Sequence, residues 1–191
     1  VADIKIENVI NAFHYAGIQD DKIVVANTLE DANKYMEMGK YVATENADLI
    51  SQVNLVECAI DVTGVPEIGV KIAIDSINNG KHVVMMDVET DVVIGPYLKR
   101  LADSKGVIYT GSAGDEPGAV MELYSFAKAM GMDVKVMGKG KNNKLDYECN
   151  PDTVLEEANR RIMSPRMLCA FKDGTKTMVE MTAMSNATGL I

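Results

Sequence analysis

Apolar and polar positions alternate along this chain with two periods, and the switches between them mark its elements. Ile6, Val9, Ile10 and Phe13 recur at helical spacing, and Gly17 follows where a left-handed cap would stop the helix. The short apolar run Ile23 to Ala26 reads as a strand. Thr28 with Asp31 three places on reads as a capping box that opens a helix through Leu29, Ala32 and Met36 to Gly39, and Tyr41 to Thr44 reads as another strand. The central third alternates strictly: strand 56–62, helix 66–79, strand 82–88, helix 95–104, strand 107–110, helix 116–130. Pro66 suits a first helical position, Val70, Ala73, Ile74 and Ile77 form one stripe, and Gly80 ends that helix. Residues 58–62 and 82–86 are almost continuously apolar, the pattern of parallel strands covered on both faces. The expected class is α/β, an incomplete Rossmann-like doubly wound parallel sheet.

The alternation stops at Gly131. Residues 133–137 predict a strand, Gly138 to Lys144 a basic turn-forming loop, 153–162 a polar helix, and 174–188 a last helix with Asp173 as N-cap and Gly189 as terminator. This places a domain boundary near Gly131, with an α/β domain over 1–131 and part of a second α/β domain over 132–191.

Composition narrows the classes. With 191 residues, 47% hydrophobic and 25% charged, the chain is globular in character, and it has no run of eighteen apolar residues and no basic, apolar leader. The expectation is a soluble cytoplasmic protein. A formal charge of −9 sets it against nucleic acid and anionic membrane. Cys58, Cys149 and Cys169 are odd in number and far apart, which argues against a disulfide framework or a zinc site and suits a reducing compartment. His14 and His82, the two histidines, read as packing residues, and no metal is expected.

Ligands of open parallel sheets bind beyond the carboxyl ends of the strands. There stand Thr63-Gly64-Val65-Pro66, then Glu89-Thr90-Asp91, then Gly111 to Gly118 including Glu116. They read either as one ligand rim or as ordinary turn and cap residues. Lys135, Lys139, Lys141 and Lys144 fall in ten residues without a carboxylate, a local reversal of charge that reads either as an anion site or as a solvated loop. In Asp173-Gly174-Thr175-Lys176, Lys176 sits in a first helical turn against the helix dipole, which reads either as a catalytic lysine or as a partner of Glu180 four residues on. Arg166 offers a fork for a carboxylate or phosphate.

Several strings together resemble a known family: TGVPEIG (63–69), GKHVVMMDVETDV (80–92), GDEPGAVMELY (114–124), GKGKNN (138–143), FKDGTKTMVEM (171–181) and NATGL (186–190). They are similar to the homoserine dehydrogenase-like NAD(P)-dependent oxidoreductases, in the branch that carries a SAF-type domain and includes deoxyxylulose-phosphate reductoisomerase-like enzymes. The resemblance implies hydride transfer between NAD or NADP and a small polar hydroxy or keto substrate, with or without a phosphate. It implies that Asp3, Thr63, Gly64 and Glu89 lie along the cofactor. It also implies that Lys139, Lys141, Asp173 and Lys176 line the catalytic site, a lysine handling the proton, with Arg166 and Glu116 on the substrate. The family's GxGxxG turn has no counterpart here, so the chain reads as a fragment, inactive by itself, whose uncovered sheet would favour a homo-oligomer. The alternative is a non-catalytic Rossmann-like binding or assembly module.

Overall fold

The structure is a computed structural model that describes residues 1–141 and 143–190. The chain divides into two compact units, one formed by Val1–Thr90 with Ile94–Thr110, the other by Asp91–Val93 with the chain from Gly111 onward. The second unit thus starts ahead of the composition change at Gly131.

The first unit interleaves α1 (Ile6–Tyr15), β1 (Ile23–Val25), α2 (Leu29–Glu37), β2 (Tyr41–Ala43), α3 (Asp48–Gln52), β3 (Cys58–Asp61), α4 (Pro66–Asn78), β4 (His82–Met85), α5 (Val88–Lys105) and β5 (Tyr109–Gly111). The expected α/β class holds, and the local signals act as read. Thr28 caps α2 by accepting from the Asp31 amide, and Pro66 opens α4. The strands are divided between two sheets: β1 and β2 pair in parallel with Ile23 opposite Tyr41, and a second sheet has the order β3-β4-β5, with Cys58 opposite His82 in a parallel β3-β4 pair.

The second sheet is covered on one face. Ala73 and Ile77 of α4 and Leu98 and Ala102 of α5 pack on Val83, Met85, Val107 and Tyr109 in a single core. Because both helices lie on that side, the other face is open, with Ile60 60%, Val62 69% and Ile108 61% exposed. The apolar runs that predicted two covered faces therefore have one covered face. The histidines are not packing residues either. His82 is exposed and its Nδ1 accepts the Ile108 amide at 2.9 Å, and exposed His14 meets Asp20 at 2.6 Å.

Helix α5 begins at Val88, seven residues ahead of its expected start at Gly95. Asp87 supplies the cap, accepting from the Thr90 amide at 3.2 Å, so the Glu89-Thr90-Asp91 loop is the first turn of a helix. Pro96 then falls inside the helix, where it has no N–H for the carbonyl of Val92. Asn186 makes good that loss by donating its side-chain amide to Val92 O at 3.1 Å.

The second unit contains α6 (Glu116–Ala129), α7 (Leu155–Arg161), α8 (Pro165–Asp173) and α9 (Thr175–Thr188). The expected strand at 133–137 forms no ladder, and Val136 is 85% exposed. Helix α8 was not expected. Pro165 occupies its first turn and Gly174, at φ +92°, both ends α8 and starts α9. No described helix is long and apolar enough to cross a membrane.

One buried cation joins the two sheets' halves of the first unit. Lys81, 7% exposed, donates to Val53 O at 2.8 Å and Val56 O at 2.7 Å, taking up carbonyls that follow α3. Val53 O also accepts the Val56 amide at 3.2 Å, so replacement by Met takes the donor from the Val56 carbonyl and one of two from Val53 O. Lys81→Met is expected to cost about 1–3 kcal/mol, read as a fall in the urea midpoint; an unchanged midpoint would show that water takes the lysine's place.

Candidate functional site

The sequence-predicted residues fall into two groups, each inside one unit. In the first unit, the carboxyl ends of β3 and β4 carry acids. Asp61 is 1% exposed; its Oδ1 accepts the Thr63 amide at 3.0 Å, and its Oδ2 has no partner. Asp87 is also buried, and burial pushes its carboxyl above the usual range against the hydrogen bonds from Thr90, with Glu89 adding to the rise. Thr90 Oγ1 donates to Asp87 Oδ2 at 2.9 Å. Gly69 lets α4 approach this edge: a Cβ there would stand 2.5 Å from Asp61 Oδ2 and 2.7 Å from Thr90 Oγ1.

Thr63 and Gly64 are exposed just beyond, Gly64 at φ +63°, and the N-cap of α4, Val65, gives no side-chain bond to the helix start. Glu89 is half-buried in the first turn of α5. Asp3 is held locally, accepting the Lys5 amide at 2.8 Å and Asn8 Nδ2 at 3.0 Å.

In the second unit, Lys139 lies between two carboxylates, 2.9 Å from Glu116 Oε1 and hydrogen-bonded to Glu180 Oε2. Glu180 is buried in α9 with its side chain 3% exposed, whereas that of Glu116, at the start of α6, is 54% exposed. Burial works against the Lys139 charge, but its bonds to Glu180 and Glu116 outweigh that and hold the ammonium above its ordinary range. The Lys139 bond in turn holds Glu116 below the usual carboxylate range. An ammonium so held steadies negative charge and orients a polar group; it does not serve as a base.

Two other basic-loop lysines have partners of their own. Lys135 pairs with Asp133, and Lys141 donates to Phe171 O at 2.6 Å, which ties the loop to α8. Asp173 closes α8 and accepts the Thr175 amide at 2.7 Å, so it caps α9 from one residue ahead of the assigned N-cap, Gly174. Lys176 is half-buried in the first turn of α9, as its sequence position implies, and Arg166 is exposed in the first turn of α8.

Sequence reasoning missed a cavity of about 400 Å³ in this unit. Met163, Leu168 and Phe171 line it with apolar surface, and Lys144, Arg161 and Lys172 with charge. Glu157 is its carboxylate, 2.6 Å from Arg161 one turn on in α7 and 2.8 Å from Lys172, the bond that joins α7 to α8. Three cations against one carboxylate give the lining a positive balance in a chain of charge −9. The spacing of Glu157 and Arg161 was a legible signal; Lys172 needed α8 to be recognised.

Residues 114–191 match the family model described as the catalytic domain of oxidoreductase DRL, which supports an oxidoreductase reading of that part of the chain. No curated protein matches the chain. Among solved structures, the chain is similar to a candidate oxidoreductase of Bacillus subtilis, YvaA, in triclinic form, at 18% identity and a TM-score of 0.42, covering 78% of this chain and 44% of that one. The chain thus spans less than half the length of that protein.

Lys139 gives a test of the second unit. Lys139→Met leaves Glu180 as a buried charge without its cation, and a loss of about 3–5 kcal/mol at neutral pH is expected. In the wild type, the lowered Glu116 contributes stability that is present above the ordinary carboxylate value and lost as pH falls through its depressed one. The variant lacks that contribution. Chemical denaturation from neutral to acid pH should therefore show the two proteins converging; a constant gap would refute the charge-pair account.

Proposed function

We propose that this chain is part of an NAD(P)-dependent oxidoreductase of the homoserine dehydrogenase-like, SAF-domain-bearing kind. It would transfer hydride to or from the CH–OH carbon of a small polar hydroxy or keto substrate. The observation that carries the proposal is the match of residues 114–191 to an oxidoreductase catalytic domain, within which Lys139 is a fixed ammonium.

The first unit's strand ends suit one end of a dinucleotide. Exposed Thr63 and Gly64 leave the start of α4 open to a polar group, and the acids Asp61, Asp87 and Glu89 favour hydroxyls and an amide over a diphosphate. When bound, the nicotinamide would supply or accept the hydride. Asp3 would favour the ribose hydroxyls of NAD over the 2′-phosphate of NADP.

On the substrate side, Lys139 would steady the negative charge that develops on the carbonyl oxygen, and Lys176 would carry the proton. Lys141 and Asp173 would position the loop and helix that present these two lysines, and Glu116 would share the Lys139 ammonium with a substrate hydroxyl. The cavity beside Lys144, Arg161 and Lys172 supports a phosphate-bearing substrate, because a dianion matches its charge balance. Arg166 would act only at its exposed edge of α8.

In the full-length protein, Lys176→Met is expected to lower kcat by about two orders of magnitude or more, followed at the reduced-nicotinamide absorbance band with polyol phosphates and amino alcohols. NADH binding should persist in that variant. Binding of NADH with no turnover of any such substrate would favour the non-catalytic module, and absence of both would end the proposal.

The same reading makes the protein a cytoplasmic homo-oligomer, and the open apolar face of β3-β4-β5 supports self-association. Sedimentation velocity at micromolar concentration should show an assembled species that Ile60→Lys dissociates. A monomer in both proteins would remove this part.

A further inference from the structure

Cys149 and Cys169 are distant in sequence, yet the fold places their sulfurs 3.5 Å apart. Each thiol donates to the other residue's backbone: Cys169 Sγ to Cys149 O at 3.3 Å, and Cys149 Sγ to Cys169 O at 3.7 Å. Cys169 is buried with Val154, Ala158 and Leu168, while Cys149 is half-buried at the edge of that cluster. The third cysteine, Cys58, is exposed and belongs to the first unit. Two neutral thiols in an apolar cluster make only weak hydrogen bonds, and a disulfide there would bring no charge into the cluster.

We propose that Cys149 and Cys169 form a reversible dithiol–disulfide pair that responds to a disulfide oxidant such as oxidised glutathione. Cys149, the more accessible, attacks one sulfur of glutathione disulfide as its thiolate and releases one glutathione thiolate. Cys169 then attacks the Cys149 sulfur of the mixed disulfide and releases the second. The cysteine pair loses two protons and two electrons, and the glutathione disulfide is reduced to two glutathione thiols.

Burial, with Cys169 beside it and the Asp146 and Asp173 carboxylates nearby, pushes the Cys149 thiol up to about 11, so its attack quickens as the solution becomes alkaline. The bond would tie the segment ahead of α7 to α8, next to Leu168 of the cavity wall. Oxidation would thereby stiffen the cavity, a control that acts on whatever ligand the cavity takes.

The test is peptide mapping of the full chain after incubation with oxidised glutathione, without reduction. The expected result is a 149–169 linked peptide that dithiothreitol reverses, that forms equally in Cys58→Ser, and that is lost in Cys149→Ser with Cys169 left unmodified. The oxidised chain should also unfold several degrees higher, as a cross-link closing a loop of this size predicts. Persistent glutathione on Cys149 without closure, or cross-links running only through Cys58, would overturn the proposal. None of these readouts depends on turnover, so the pair stands or falls apart from the oxidoreductase reading.

Discussion

A carboxylate buried in a helix must find a cation, and Glu180 finds Lys139. That one pairing organises the second unit. It anchors a loop without regular structure to α9, and through Glu116 it also reaches the first turn of α6. The loop is tied a second time by Lys141 to the Phe171 carbonyl and a third by the Asp146 amide to the Lys172 carbonyl. A segment with no ladder of its own thus acquires a defined path from three polar bonds. The energetic asymmetry of buried charge explains why such a path persists: the pair adds little over an apolar substitute, but removing one member leaves a charge that nothing solvates.

The first unit solves the same kind of problem with different parts. Lys81 reaches carbonyls that follow α3, and α4 could not close on the strand ends with a side chain at Gly69; in the second unit, Asn186 donates to the Val92 carbonyl, for which Pro96 has no N–H. Lys81, Gly69 and Asn186 each sit in a string that, as sequence, looks like part of a functional motif. Lys81 of GKHVV and Asn186 of NATGL act here by satisfying backbone carbonyls. A shared string is therefore no guide by itself to which of its members meets a ligand.

What was legible follows from range. Thr28 and Asp31, Pro66, and Gly80 act within a few residues, and the elements they mark are where the pattern put them. The start of α5 was misread because Pro96 looks like an opening residue, while the capping carboxylate of Asp87 stood hidden at the end of an apolar strand. What holds Lys139 in the basic loop was illegible for a different reason. Its counter-charges, Glu116 and Glu180, come from helices far away in sequence, and no local window contains them. The cysteine pair was invisible on the same ground, since spacing rules describe motifs and say nothing of two thiols brought together by the packing of α7 and α8.

These distances also divide the work among the lysines. Lys139 is fixed in charge and place by its two carboxylates. Lys172 is likewise held charged by Glu157, whose bond raises it above its ordinary range. Lys144 lines the same cavity from the exposed loop, where its long stem can shift to meet a ligand. Lys176 differs from all of them in standing where a helix's own field opposes its charge. The same side chain is therefore set differently by what surrounds it: a buried carboxylate fixes Lys139, a carboxylate in the cavity wall fixes Lys172, and Lys176 stands in the first turn of a helix.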